Sequence, residues 1–167
     1  MTTSFNNAIK SNYRLTIERL PKVSFFTRKY QHPGLALTPI SIPHMGPTLK
    51  LPGGPLQFSE SLSLRFLVDE NYENYLEIYN WMRDIGLMQH TSTAVQTLGG
   101  KPSNLYFSTG IVDILSNKQN PILSFVYNQL TPMSLDAIDF DNDNPQASPI
   151  EVGITFAYTT WFPRLLN

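Results

Sequence analysis

The chain contains no cysteine, so neither a disulfide framework nor thiolate chemistry is available to it. Charge is also scarce. Lys, Arg, Asp and Glu make up 15% of the residues, against about 25% in an ordinary soluble domain, and Asn, Gln, Ser, Thr, Tyr and Pro take their place. Such a surface suits burial against other subunits, because interface cores are depleted in charge and enriched in aromatics. A neutral secreted or lectin-like domain is the plainer alternative. No apolar run approaches the roughly 18 residues that a membrane span needs. Met1 to Lys10 is polar and lacks the apolar core of a secretion signal. The expectation is a protein made in a cytoplasm that stays soluble or assembles there.

Catalytic and metal-binding patterns are missing as well. His32, His44 and His90 fit no metal-ligand spacing and read as ordinary loop histidines. There is no Gly-x-Ser-x-Gly elbow. Asp139, Asp141 and Asp143 resemble the start of a calcium loop. However, the Gly position holds Asn144, Pro145 follows, and the bidentate Glu position holds Ile150, so a solvated acidic loop is the better reading. Gly99-Gly100-Lys101 lacks the first Gly and the hydroxyl residue of a phosphate loop. No cofactor and no metal are expected, and the chain does not read as an enzyme.

With 167 residues and 41% hydrophobic content, the chain is long enough for one domain, 1–167, with a real core. Residues 1–11 read as a terminal segment. Tyr13, Leu15 and Ile17 alternate with Arg14, Thr16 and Glu18, the pattern of a half-buried strand. Val23 to Lys29 is a second strand candidate, and His32-Pro33-Gly34 is a turn. Strict alternation returns at Leu62, Leu64, Phe66 and Val68. Asp69 and Asn71 then offer N-caps to an amphipathic helix from Tyr72 to Ile85, ended by Gly86. Its expected sheet-facing residues are Tyr75, Leu76, Tyr79, Met82 and Ile85. Gln89 to Gly100 reads as loop. Leu105 to Leu115, Ile122 to Tyr127 and Val152 to Phe162 read as strands, with Pro132-Met-Ser-Leu and Asp139 to Pro149 as loops.

Between the second strand and the alternating segment lies a long arm, 33–55. Leu35 to Ile42 is extended, and Pro39 and Pro43 restrict it to a sheet edge. Pro43 to Pro55 holds four prolines and three glycines, so it cannot be a central sheet element. It is longer than an ordinary connection, yet too apolar for a disordered one. Leu35, Leu37, Ile40, Ile42, Met45, Leu49, Leu51 and Leu56 are therefore the candidate subunit interface. Charge is uneven along the chain. Residues 1–50 carry seven basic residues and one acidic, while residues 113–151 carry six acidic and one basic. Opposite ends of this kind suit head-to-tail stacking. A basic first third also raises nucleic-acid binding, but the charges sit at strand spacing, not in a cluster.

The order of these features resembles the tail tube proteins of contractile-tailed bacteriophages. The likeness is carried by Pro33-Gly34, Ile40-Ser-Ile-Pro43, Leu49-Lys-Leu-Pro-Gly-Gly54 and Phe58 in the arm, by Leu62 to Glu70 followed by Tyr75 to Trp81, and by the closing Val152 to Tyr158. Pro55 departs from it, since the family tends to have Asp after the glycine. The resemblance implies a mainly β fold, an antiparallel β-sandwich or barrel flanked by a single helix, with a long inter-subunit arm. It implies hexameric rings stacked into a tube, either the major tube or its first ring at the baseplate, with tail sheath and baseplate or neck proteins as partners. DNA would pass non-specifically through the lumen. The location would be the virion, after assembly in the host cytoplasm, with no membrane partner. The rival function is a carbohydrate-binding β-sandwich with Trp81 or Trp161 as a sugar platform; a core role is the plainer reading of both.

Overall fold

The computed structural model describes residues 7–43, 48–59, 61–88, 106–140 and 148–166. Met45, His44, His90, Asp141, Asp143 and the 89–100 loop lie outside the described residues. The described strands are β1 (Tyr13–Ile17), β2 (Thr27–Gln31), β3 (Leu35–Leu37), β4 (Ile40–Pro43), β5 (Thr48–Leu51), β6 (Leu56–Phe58), β7 (Ser61–Leu67), β8 (Ser108–Leu115), β9 (Pro121–Leu135), β10 (Glu151–Ala157) and β11 (Thr160–Leu165). Helix α1 spans Pro21–Phe26 and α2 spans Glu73–Met88.

Seven strands form one antiparallel sheet in the order β1-β8-β9-β10-β7-β2, with β11 also on β9. The long β9 lets this sheet fold over on itself. Its first part pairs with β8 and β11, and from Thr131 onward it pairs with β10. At the crossing Gln129 takes a left-handed φ of 56°. The register with β10 then slips at Met133, the local bend a bulge produces. Two layers result, and their inward residues meet in one core. Leu15 and Ile17 come from β1, Val112 from β8, Tyr127 and Leu130 from β9. Leu62, Leu64 and Phe66 come from β7, and Val152, Ile154 and Phe156 from β10. The alternation in β1 and β7 is thus the direct record of a one-sided burial.

Four segments differ from the sequence expectation. The second strand begins later, because residues 21–26 form α1. Pro21 stands at its first turn, where a fixed φ is pre-organised for a helix. Ser24 Oγ donates to the Leu20 carbonyl at 2.9 Å and accepts from Ile17 N–H at 2.9 Å, and Val23 is the inward residue. Pro132 to Leu135 belongs to β9, not to a loop. The segment 152–162 is two strands separated at Tyr158 and Thr159. And α2 runs through Gly86 instead of stopping there.

The face of α2 is also rotated from the expected one. Asn74, Ile78 and Trp81 are fully buried, Tyr75, Met82 and Ile85 pack partly against the core, and Leu76 and Tyr79 are exposed. The start of the helix explains the rotation. Asp69 Oδ1 accepts from Asn74 N–H at 3.0 Å, Asn74 Oδ1 accepts from Asp69 N–H at 3.3 Å, and Asn74 Nδ2 donates to the Leu67 carbonyl at 2.7 Å. This reciprocal clasp works as a capping box does and turns Asn74 inward. Residues four and seven further on, Ile78 and Trp81, follow it into the core. Trp81 meets Phe156 at 6.3 Å, and the Arg19 guanidinium lies 5.0 Å from its ring centre.

Candidate assembly interface

The arm is a two-stranded ribbon in two pieces. In the piece next to the sandwich Leu35 pairs with Phe58 and Leu37 with Leu56. Beyond it Ile40 pairs with Leu51 and Ile42 with Leu49. Directly opposed residues of an antiparallel pair share a face. Each piece therefore gathers its large apolar side chains on one side and leaves Ala36, Gln57, Ser41 and Lys50 on the other. The pieces meet at a kink that depends on glycine. A Cβ on Gly54 would sit 1.8 Å from the Thr38 carbonyl oxygen, and Gly53 has a φ of 137°, which residues with side chains rarely adopt. Thr38 N–H donates to the Pro55 carbonyl across the kink at 3.4 Å.

Seven of the eight candidate interface residues are described. Leu35, Leu37, Ile40, Ile42, Leu49, Leu51 and Leu56 are 38–55% exposed, and none of them joins the core. The structure thus places them on one ribbon and leaves them half-exposed, outside the core. Leu76 and Tyr79, expected on the sheet-facing side of the helix, are instead exposed on α2. The sequence reading missed other exposed apolar residues, among them Phe25, Phe140, Phe162 and Leu165. Phe25 could have been found from the proline-started helical turn, which sets it opposite Val23.

The root of the arm is a second feature the sequence reading missed. His32, taken as a loop histidine, lies among aromatic rings: Phe125 at 4.2 Å and Trp161 at 4.6 Å. Trp161 in turn meets Phe58 at 5.9 Å. The Tyr30 and Tyr127 hydroxyls bond to each other and lie 2.7 and 2.8 Å from His32 Nδ1. The spacing of Tyr30 and His32 was visible in the sequence, but Phe125, Tyr127 and Trp161 come from strands about 95 to 130 residues away. Burial raises the Tyr30 phenol to about 12, raises Tyr127 still further, and lowers the His32 imidazole.

Elsewhere the surface holds ordinary ion pairs. Lys22 pairs with Glu73 and approaches Glu77 at 4.0 Å, and Arg83 meets Asp84 at 3.2 Å. Among the described residues no three His, Cys, Asp or Glu side chains converge as a metal site would require, and no helix is long and apolar enough to cross a membrane. Trp81 is buried in the core. Trp161 packs against His32, Phe58 and Phe125, so neither indole is a free sugar platform.

A folded-over antiparallel sheet with one main helix and a half-exposed apolar ribbon defines a mainly β fold. A model of the phage tail tube protein family matches residues 2–164, and the chain belongs to that family. It is a structural tail component and not an enzyme. The sequence has no match among curated proteins. Solved structures share the fold. A chain of the extracellular contractile injection system PVC sheath–tube complex in the extended state gives a TM-score of 0.65 at 11% identity, covering 96% of this chain and 93% of that one. A chain of the six-fold symmetrised anti-feeding prophage baseplate gives 0.63 at 11% identity, covering 95% and 96%. Hcp1 from Flavobacterium johnsoniae gives 0.51 at 11% identity, covering 90% and 93%.

Proposed function

We propose that this chain, as a single tail-tube unit, closes with copies of itself into hexameric rings that stack head to tail into the tube of a contractile tail. The arm of each copy lays its apolar face on a neighbour. The observation that carries this reading is the ribbon itself: seven large apolar residues gathered on one side of each of its two pieces, half-exposed and outside the core. Two further features support it. Among the described residues no strand covers the outer edges of β1, β2 or β11, and closing a ring through neighbours removes such edges. The fold is also that of chains in a sheath–tube complex and a six-fold baseplate, which makes a sheath and a baseplate or neck protein the natural partners. The lumen would pass DNA without holding it, since a chain of net charge −1 offers few of the phosphate contacts that retain nucleic acid.

The test is removal of the arm tip. Residues Met45 to Gly53 are replaced by a short Gly-Ser linker, and the protein is examined by negative-stain electron microscopy at high concentration and beside its tail partners. The expected outcome is loss of rings and tubes with an unchanged circular dichroism spectrum. Rings that persist would refute the role of the arm. Unfolding would show that the arm packs within its own subunit.

A further inference from the structure

His32 is the last residue before the Pro33-Gly34 hinge, and Ser59 closes the return strand of the arm. Both are tied to the sandwich. Tyr158 donates its hydroxyl proton to the Ser59 carbonyl, and Ser59 N–H donates to the Gly34 carbonyl at 3.1 Å. On the outgoing strand the tie is the cluster of His32, Tyr30 and Tyr127. Its protons can be counted. Two phenols bring two O–H donors, and only one can donate to the other phenol. The second needs the lone pair of His32 Nδ1, within 2.7–2.8 Å of both oxygens. Neutral imidazole with its proton on Nε2 completes the set. We propose that neutral His32 is the positioning residue that fixes the direction of the arm, and that its protonation releases the arm at its root.

A proton on Nδ1 turns the one nitrogen acceptor into a third donor and leaves one phenol proton without an acceptor in the cluster, a costly state for a buried hydroxyl. Among the described residues no carboxylate pairs with the imidazole. The groups that face the imidazole are Tyr30 on β2, Phe125 and Tyr127 on β9, and Trp161 on β11. Tyr158 is one ring further out, 5.5 Å from Tyr127. None of these is a carboxylate, and the phenols stay un-ionised near neutral pH. Burial disfavours the charged form, and the imidazole is lowered from 6.5. The sign follows. The locked arm is favoured above about 6.5, and the lock is lost as pH falls through the lower value of the folded protein. Bulk protons reach the site, because His32 is solvent-accessible. The consequence for assembly rests on the arm being the inter-subunit element; the lock itself does not.

The absence of native cysteine permits selective spin labels at Ser41→Cys on the polar side of the arm and Ser63→Cys on the sandwich. Pulsed electron paramagnetic resonance then reads the arm-to-sandwich distance in the full chain at about pH 7.5 and about pH 5, either side of the histidine range. The expected result is one narrow distance at the higher pH and loss of that narrow peak at the lower. The midpoint should coincide with the His32 imidazole titration followed by nuclear magnetic resonance. His32→Asn keeps an acceptor near the Nδ1 position but cannot be protonated, so it should stay narrow at both pH values. His32→Phe should be broad at both. A wild-type distance that stays narrow in acid overturns the lock, as does a His32→Asn protein that broadens like wild type. Should His32→Phe fail to fold, the Asn variant decides alone. Rings that persist in acid while the distance broadens overturn the assembly reading and leave the lock standing.

Discussion

Replacing Ile42 and Leu49 together by serine tests the interface at its most defined point. The two residues oppose each other across the outer piece of the arm, and they are 42% and 52% exposed. Full burial of such a side chain contributes about 1.5–3 kcal/mol. Roughly half of that remains to be gained on contact with a neighbour, so the pair should contribute about 1.5–3 kcal/mol per arm. Every 1.4 kcal/mol or so is tenfold in an equilibrium constant. Each subunit contact should therefore weaken by about 10- to 150-fold, and a ring needs every contact around it. The assay is sedimentation velocity over a concentration series, paired with thermal unfolding of the unassembled protein. Assembly should shift to much higher concentration. The melting temperature should move by only a few degrees, since surface substitutions are usually within about 0.5 kcal/mol. A large drop in melting temperature would show that the pair packs within its own subunit. Unchanged assembly would remove this face of the arm from the interface.

Trp81→Ala should act oppositely, on folding: loss of a core indole costs about 3–5 kcal/mol, and at about 2–4 °C per kcal/mol the melting temperature should fall by roughly 6–20 °C in calorimetry. Gly54→Ala should open the kink of the arm, because the new Cβ meets backbone at Thr38, so electron microscopy should show malformed or absent rings while calorimetry shows an unshifted core transition. Glu77 is raised from 4.5, first by burial, against the pull of Lys22, and its Oε2 is buried without a hydrogen bond. A raised carboxyl makes folding take up a proton, so this group favours the folded state increasingly as pH falls into its titration range. Glu77→Gln should accordingly stabilise the protein at neutral pH and lose that advantage in acid, read as melting temperature against pH.

The elements that could be read from the sequence are those in which burial is one-sided. β1 and β7 each bury alternate residues, and that periodicity survives in the sequence whatever the partner strands are. Elements whose limits are set by tertiary pairing were read less well. Pro132 looked like a breaker, yet it stands beside the Met133 bulge in the part of β9 that, among the described residues, β10 alone pairs with. A proline at such an edge removes no needed hydrogen bond. Residues 152–162 contain Gly153 but nothing that marks the break at Tyr158, which comes from β11 returning to β9. In α2 the apolar residues are spread so widely that several faces were open, and Asn74, a polar residue, selected among them. The exposure of the arm residues was legible because prolines keep that segment out of the central sheet. The root was not, since it joins His32 to Phe125, Tyr127 and Trp161 through pairing that no local pattern encodes.

The prolines of the arm also restrict how it can meet a partner. A two-stranded ribbon exposes the polar backbone of both its edges, and such edges recruit further strands. Here Pro39 and Pro43 on one strand and Pro52 and Pro55 on the return strand interrupt the donors along those edges, with Lys50 two residues before Pro52. Strand addition is therefore disfavoured along most of the arm, and the apolar face is left as the surface able to bind. A face buries side chains against side chains and tolerates a partner of any backbone conformation, whereas an edge demands a strand. The same prolines make an arm of half-exposed leucines and isoleucines compatible with an unassembled subunit, because they deny it the edge-to-edge pairing by which exposed ribbons aggregate.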